Sequence, residues 1–415
     1  MGIQVTKACG LDIHKKFIVA TIIDNEHCTI ENRFNRVQKD LLNLKDWILE
    51  NRCEVVACES TSDYWLPIYE MLENRVKVIV GNARDIKAIS HKKTDKVDSA
   101  WIAKLALHNL IPASRIPDKE SRELRSLIRL RKTLVGKRTD IKNEIHYTLD
   151  SCLFRLSSIL TDIFGKSGMI ILSGVTNGKP INEILADLPT RMQKHVEKIM
   201  EVLETNLPQT AIIRIKCCLD LIKELDSQIG IIMQLVGQLV ANKKREIRIL
   251  TSVPGVGYLA AVTLIAEIGD FKDFPSGDKL ASWLGVVPKV HQSADHLKTG
   301  AITKRGSKVA RWILIQVANA AARSKNTRFR EFFNRKIGII GFGKTIVALA
   351  RKIVTIIWHL MIRNELYEET EGIRKLEVYI PKSKEPKYLS LDEILDLIRN
   401  ANIYLKEPDP HRETG

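Results

Sequence analysis

The chain reads as an α/β domain followed by long paired helices and a mostly helical C-terminal domain. Three observations predict this. Short apolar runs punctuated by turn residues fill the first quarter; Leu and Ile then recur at helical spacing on a charged background; and beyond Leu250 the helical pattern is broken by a proline–glycine turn. Residues 5–12, 16–23 and 27–35 are strand-like runs with short links, an antiparallel meander. Residues 38–51 carry Leu41, Leu44, Trp47 and Ile48 on one helical face. Residues 54–58 and 76–80 are compact apolar runs of parallel-strand character, with a helical stretch over 64–73 between them. Three antiparallel strands followed by alternating helices and parallel strands is the order of an RNase H-like fold.

From residue 121 to 160, Leu127, Leu130, Leu134, Ile141 and Ile145 recur at steps of three, four or seven, as in a long paired helix. A looser stretch over 165–189 interrupts it, and a second helical stretch over 191–249 places Leu219, Ile222, Leu225 and Ile229 on one face. The expected units are therefore 1–115, an RNase H-like catalytic domain; 116–249, a coiled-coil-like linker or dimerisation region; 250–364, a helical domain with a helix-hairpin-helix; and 365–415, a charged tail.

Apolar residues make up 45% of the 415 and charged residues 27%, which excludes disorder as the main state. The uncharged run 227–242 is too short to span a bilayer, so no membrane partner is expected. No basic segment followed by an apolar one opens the chain, and seven cysteines without a C-x-x-C pair fit a reducing compartment, so a cytoplasmic, nucleoid-associated location is expected. Cys53, Cys58, Cys217 and Cys218 read as small core hydrophobes. The net charge of +16 is concentrated: residues 301–364 hold 14 Lys and Arg against one acid, and residues 115–144 hold 10 against 5. A one-sign block focuses a field on phosphates and releases their counterions, so nucleic acid is the expected partner.

The acids of the first domain carry the sharpest chemistry. Asp12 ends the first apolar strand in G-L-D-I-H-K, and Glu59 follows the strand E-V-V-A-C. Asp95 and Asp98 stand at i and i+3 in K-T-D-K-V-D-S-A, where a helix begins. Carboxylates at neighbouring strand ends, joined by two from a helix, suit a pair of Mg²⁺ ions about 4 Å apart, because Mg²⁺ takes hard oxygen ligands. Such a pair polarises a phosphodiester and stabilises its entering and leaving oxygens. Taken singly, each acid reads as a solvated turn residue, and the D-x-x-D pair as a helix cap; the ordered set of four is what carries the assignment.

Pro254, Gly255 and Gly257 in T-S-V-P-G-V-G-Y lie between two helical stretches. This is a helix-hairpin-helix pattern whose turn N–H groups and following helix can meet a backbone phosphate. Ser293 then stands in a polar loop with His291, His296 and Lys298, ahead of Lys304, Arg305, Lys308 and Arg311, the candidate phosphate contacts. A serine hydroxyl attacks phosphorus when a base, a metal or positive charge activates it; by position alone Ser293 is an ordinary loop serine. Gly338 to Thr345 spells the P-loop pattern G-x-x-x-x-G-K-T, but the charged, helix-like residues before it are no buried strand, and the segment reads as a helix-linking turn.

Taken together, G-L-D-I-H-K, C-E-S-T, K-T-D-K-V-D-S-A, V-P-G-V-G and Q-S-A…I-T-K-R-G-S-K-V-A-R resemble the DEDD-type insertion-sequence transposases, whose relatives include the Piv/MooV DNA invertases. The likeness runs from Asp12 to about Arg363. It implies a RuvC-like N-terminal domain with Asp12, Glu59, Asp95 and Asp98 as its acids, and a C-terminal transposase domain with Ser293 as nucleophile. Mg²⁺ is the cofactor expected from the four carboxylates. Because acids and serine sit on different domains, the long helices between them are expected to pair protomers in a homodimer or tetramer. The family usually has Ser-Gly where this chain has Ser293-Ala294. Many members are guided by a structured noncoding (bridge) RNA, so DNA and a guide RNA are the implied partners. Rival readings are a RuvC-like junction resolvase or nuclease in which water attacks, a site-specific invertase, and a noncatalytic nucleic-acid-binding protein.

Overall fold

A computed structural model describes residues 5–60, 62–83, 85–86, 99–293, 296–304, 306–325 and 327–368; for 290–299 the backbone alone is described. The chain begins with β1 (Lys7–Ile13), β2 (Phe17–Asp24) and β3 (Thr29–Asn35), followed by α1 (Gln38–Glu50), β4 (Val55–Glu59), α2 (Leu66–Leu72), β5 (Lys77–Gly81) and α3 (Ser99–Leu107). The sheet order is β3-β2-β1-β4-β5, antiparallel across β1–β3 and parallel for β1–β4 and β4–β5. Strand alternation sends Cys9, Leu11, Val56, Cys58 and Val80 to one face, where Leu44 and Ile48 of α1 and Ile68 and Leu72 of α2 cover them. The opposite face, with Ala8, Val55, Ala57 and Ile79, takes Ile102, Ala103 and Ala106 of α3. Both faces of the parallel part are covered, which is why β4 and β5 read as continuous apolar runs.

The long helix α4 (Lys119–Ser151) starts where Asp118 accepts hydrogen bonds from the Ser121 backbone N–H (2.9 Å) and hydroxyl (2.7 Å). At 33 residues it spans about 50 Å. Three short helices, α5 (Lys166–Thr176), α6 (Ile181–Ala186) and α7 (Val196–Leu203), lead to α8 (Gln209–Leu239), which packs along α4 within the same chain. Ile145 and Leu149 meet Ile215 and Leu219 in one core, while Leu124 and Ile128 join Ile232 and Val236 in another, so the two helices run antiparallel. Of the α4 positions singled out by spacing, Leu130 is exposed. It lies six residues, about 240° round the helix, from the buried Leu124. On α8, Cys217 is exposed, unlike the buried Cys53 and Cys58, because it falls two residues, about 200°, from Leu219.

The C-terminal body contains α9 (Lys244–Ser252), α10 (Tyr258–Ile268), α11 (Gly277–Trp283), the hairpin β6 (Pro288–Ser293) and β7 (His296–Ile302), then α12 (Lys308–Arg323), α13 (Arg328–Ile340) and α14 (Phe342–Arg363). Every residue of α10 from Ala260 onward is buried, so it is the axis of this core. The P-loop-like segment is a helix link: Gly338 is inside α13, Gly341 turns at φ 76°, and the buried Thr345 hydroxyl donates to the Gly341 carbonyl at 2.8 Å. Among the described residues α14 alone is long and apolar enough to cross a membrane. Its Ile346, Leu349, Ile353, Val354 and Ile357 are buried in the C-terminal core.

Candidate active site and nucleic-acid interface

β1 and β4 are parallel neighbours in register through Leu11 and Cys58. The next residues of the two strands are Asp12 and Glu59, at C-terminal strand ends about 4.8 Å apart across the sheet. Alternation along each strand puts Asp12 on the side of Ala8 and Gly10, and Glu59 on the side of Val55 and Ala57, so both carboxylates share the α3 face. Asp12 keeps 31% of its side chain exposed and holds an oxygen 2.9 Å from His14 Nε2. The His14 ring rests on Phe17 (centroids 4.5 Å apart), and Phe17 carries the Arg33 guanidinium at 3.7 Å. His14 escaped sequence reasoning as a site residue, although its two-residue offset from Asp12 on a strand end was a usable signal.

Gly10 explains how α3 reaches this face. A Cβ there would overlap the Ser99 carbonyl and the Ala103 backbone, so only glycine admits the helix so close. Ser99, the first described residue of α3, pairs its hydroxyl with Thr21 at 2.7 Å, and Thr21 sits directly opposite Gly10. Asp95 and Asp98 lie outside the described residues; the chain that follows them enters beside β1, two positions from Asp12. Among the described residues no three His, Cys, Asp or Glu side chains gather as a metal cluster. Asp12 and Glu59 supply the hard oxygen donors that a divalent cation such as Mg²⁺ takes, and the buried thiols of Cys9 and Cys58 line the opposite face. Burial pushes the Cys58 thiol up to about 12, with the neighbouring Glu59 adding to the rise, which keeps it neutral and inert.

In the C-terminal body, α9 and α10 are joined by the Val253–Gly257 turn, with Gly255 at φ 90°. Gly255 faces α12: a Cβ would lie 2.6 Å from the Val317 carbonyl. Gly257 is exposed with nothing near it, and Pro254 is half-buried, so the open side of the turn is that of Gly257. Ser293 is the last residue of β6, opposite His296, and His291 pairs with Lys298. The polar loop expected around Ser293 is thus a pair of antiparallel strands, and Ala294 and Asp295 between them lie outside the described residues. Pairing between the two strands satisfies the backbone of a polar segment that has little apolar periodicity to announce them. Lys304 (φ 55°) and Lys308 are exposed, and Arg305 lies outside the described residues. Arg311 is half-buried and donates to the Leu284 carbonyl at 3.2 Å, tying α12 to α11.

Residues 9–154 match a family model described as a transposase, of the DEDD type named for IS110, and residues 247–334 match the model of the transposase IS116/IS110/IS902 family. A probable family 20 transposase of Pseudomonas aeruginosa is 26% identical over 86% of this chain and 97% of its own length. The transposase for insertion sequence element IS1111A of Coxiella burnetii is 26% identical over 87% of this chain and 91% of its own. A pilin gene-inverting protein of Moraxella bovis is 29% identical over 36% of the chain and 46% of its own length. Asp12 and Glu59 lie inside one matched stretch, and the Val253–Gly257 turn, Ser293 and the first basic residues of α12 inside the other, so over both stretches the chain is similar to the IS110/IS116/IS902 transposases.

Proposed function

We propose that the protein is a transposase of an insertion sequence, cutting and rejoining DNA by metal-dependent transesterification through Ser293. The observation that carries this reading is the pair Asp12 and Glu59, side by side at parallel strand ends on the face that α3 covers. In this reading the sheet is RNase H-like, of the RuvC type, and Asp95 and Asp98 complete the acidic set from the chain entering α3. Mg²⁺, when bound there, supplies charge stabilisation at the scissile phosphate. The Ser293 oxygen forms a bond to phosphorus as the bond from phosphorus to the leaving deoxyribose oxygen breaks, and the leaving oxygen takes the proton. The hydroxyl of a second strand then displaces the serine, which recovers its proton, so strands are joined without net hydrolysis. The Val253–Gly257 turn and Lys304, Arg305, Lys308 and Arg311 hold backbone phosphates, a noncoding RNA guides the choice of site, and a dimer or tetramer brings acids and serine together.

Incubating Ser293→Ala protein with element-end DNA and Mg²⁺ tests the serine: strand exchange falls below detection and no protein–DNA adduct accumulates, while DNA binding persists. Undiminished exchange would transfer the attack to water and leave a RuvC-like nuclease.

A further inference from the structure

The two basic stretches of the sequence, about 170 residues apart, meet in the structure. A groove of about 650 Å³ runs between the middle of α4 and the start of α12, lined by Lys132, Gly136, Lys137 and Asp140 from one side and Ser307 and Lys308 from the other. Arg129 also reaches it, but its guanidinium is held by Glu267 at 2.9 and 3.0 Å, which offsets part of its charge. Three lysines thus face one carboxylate, Asp140, a clear positive excess. Lys132 leans over Trp312 at 5.1 Å, and Trp312, one turn beyond Lys308, leaves 42% of its surface to solvent. Basic side chains beside an exposed aromatic ring are the surface a nucleic-acid strand uses, phosphates on the lysines and a base against the ring.

Gly136 points the same way. It stands in the interior of a 33-residue helix, where glycine weakens the helix, yet nothing of the protein lies within 4 Å of where its Cβ would be. The glycines at 10 and 255 are explained by helices pressed against them; at 136, as at 230 and 237 of α8, no protein group takes the space, and of these three Gly136 is the one that lines the groove. A residue kept small at the floor of a cationic groove lets a ligand approach the helix backbone.

We infer that the α4–α12 groove is a phosphodiester-binding track in which Lys132, Lys137 and Lys308 hold a nucleic-acid strand against the Gly136 face of α4. The inference rests on the nucleic-acid reading above but adds α4, a helix outside the hairpin and the acidic site, to the interface. The test compares full-length wild type with Gly136→Leu and with Lys132→Gln/Lys137→Gln, titrating labelled DNA and RNA oligonucleotides, single-stranded and duplex, across a salt series. Gly136→Leu, a better helix former, keeps or raises the melting temperature and weakens binding by at least about tenfold. The double lysine variant flattens the slope of log affinity against log salt by about two. The probe whose affinity falls, DNA or RNA, identifies the strand held there. Binding of both variants equal to wild type for every probe overturns the inference, and if wild type still exchanges strands, the transposase reading survives it. Loss of affinity in the variants of a wild type that exchanges no strands leaves the groove standing and the transposase reading fallen.

Discussion

Glu267 is a carboxylate with no exposed surface, and two guanidiniums answer it: Arg129 through two hydrogen bonds and Arg125 with Nε at 3.6 Å. The hydrogen bonds that Arg129 donates to Glu267 raise the Arg129 pKa, whereas burial lowers that of Arg125. Glu267→Ala strands both cations beside a cavity, and a urea titration reads the loss as about 3 kcal/mol, the low end for a broken buried pair because Arg129 is half exposed. A drop below about 1 kcal/mol would mean water already shares that charge. Asp118 titrates in the other direction. Burial works to raise its pKa, but the Ser121 N–H and hydroxyl, with Lys243 nearby, outweigh it and hold the carboxyl below its usual range. A carboxyl depressed in the folded state adds stability above the unfolded pKa and loses it as pH falls through the folded one. Asp118→Ala therefore costs about 1 kcal/mol at neutral pH, and the gap from wild type closes in acid below the carboxylate range; a gap independent of pH would contradict the assignment. The carboxylate pair Asp12 and Glu59 was legible as residues, because each ends an apolar run. The His14 contact was not, because it depends on the turn that brings His14 back over Phe17.

Elements show where glycine is a packing choice and where it is not. Gly255→Ala forces a side chain into the α12 backbone at a positive φ, and the melting curve reads this as about 1–3 kcal/mol of destabilisation. Gly257→Ala, two residues on and facing solvent, costs under about 1 kcal/mol. Equal costs at the two positions would show that the turn does not lie against α12. The strands and helices of the first domain were readable because apolar alternation and helical spacing are strong there. The β6–β7 hairpin was not, since P-K-V-H-Q-S and H-L-K-T-G-A-I carry few apolar residues and its register lies in backbone pairing. Leu130 misleads for a related reason: steps of three and four are satisfied by two lines on a long helix, and only the partner helix selects which is covered.

In the whole molecule, arginines join the sheet domain to the helical body. Arg115, in the link between them, donates through Nε to Asp273 at 2.8 Å and through Nη2 to the Asp270 carbonyl at 3.0 Å, and stacks near Phe274. Arg122 on α4 reaches back to Glu70 of α2 and to Glu73 at its C-terminal end. Arg115→Ala is expected to loosen this junction, so that limited proteolysis cuts the segment between α3 and α4 several-fold faster while nucleic-acid affinity holds. An unchanged cleavage pattern would place the rigidity in α4 itself. The same junction brings the α4 stripe under the start of α12, which is how two basic stretches remote in sequence come to share one groove.

Sequence alone settled the order of the α/β elements, the acids at strand ends and the helix-linking turn hidden in a P-loop pattern, because each is a local matter of periodicity or of the residue beside a break. Which helix faces are covered, that Gly255 serves α12 while Gly136 serves nothing in the protein, and that Lys132, Lys137 and Lys308 line one groove were decided by tertiary structure. The reason is that burial and charge density are sums over neighbours, and here the neighbours come from helices far apart along the chain.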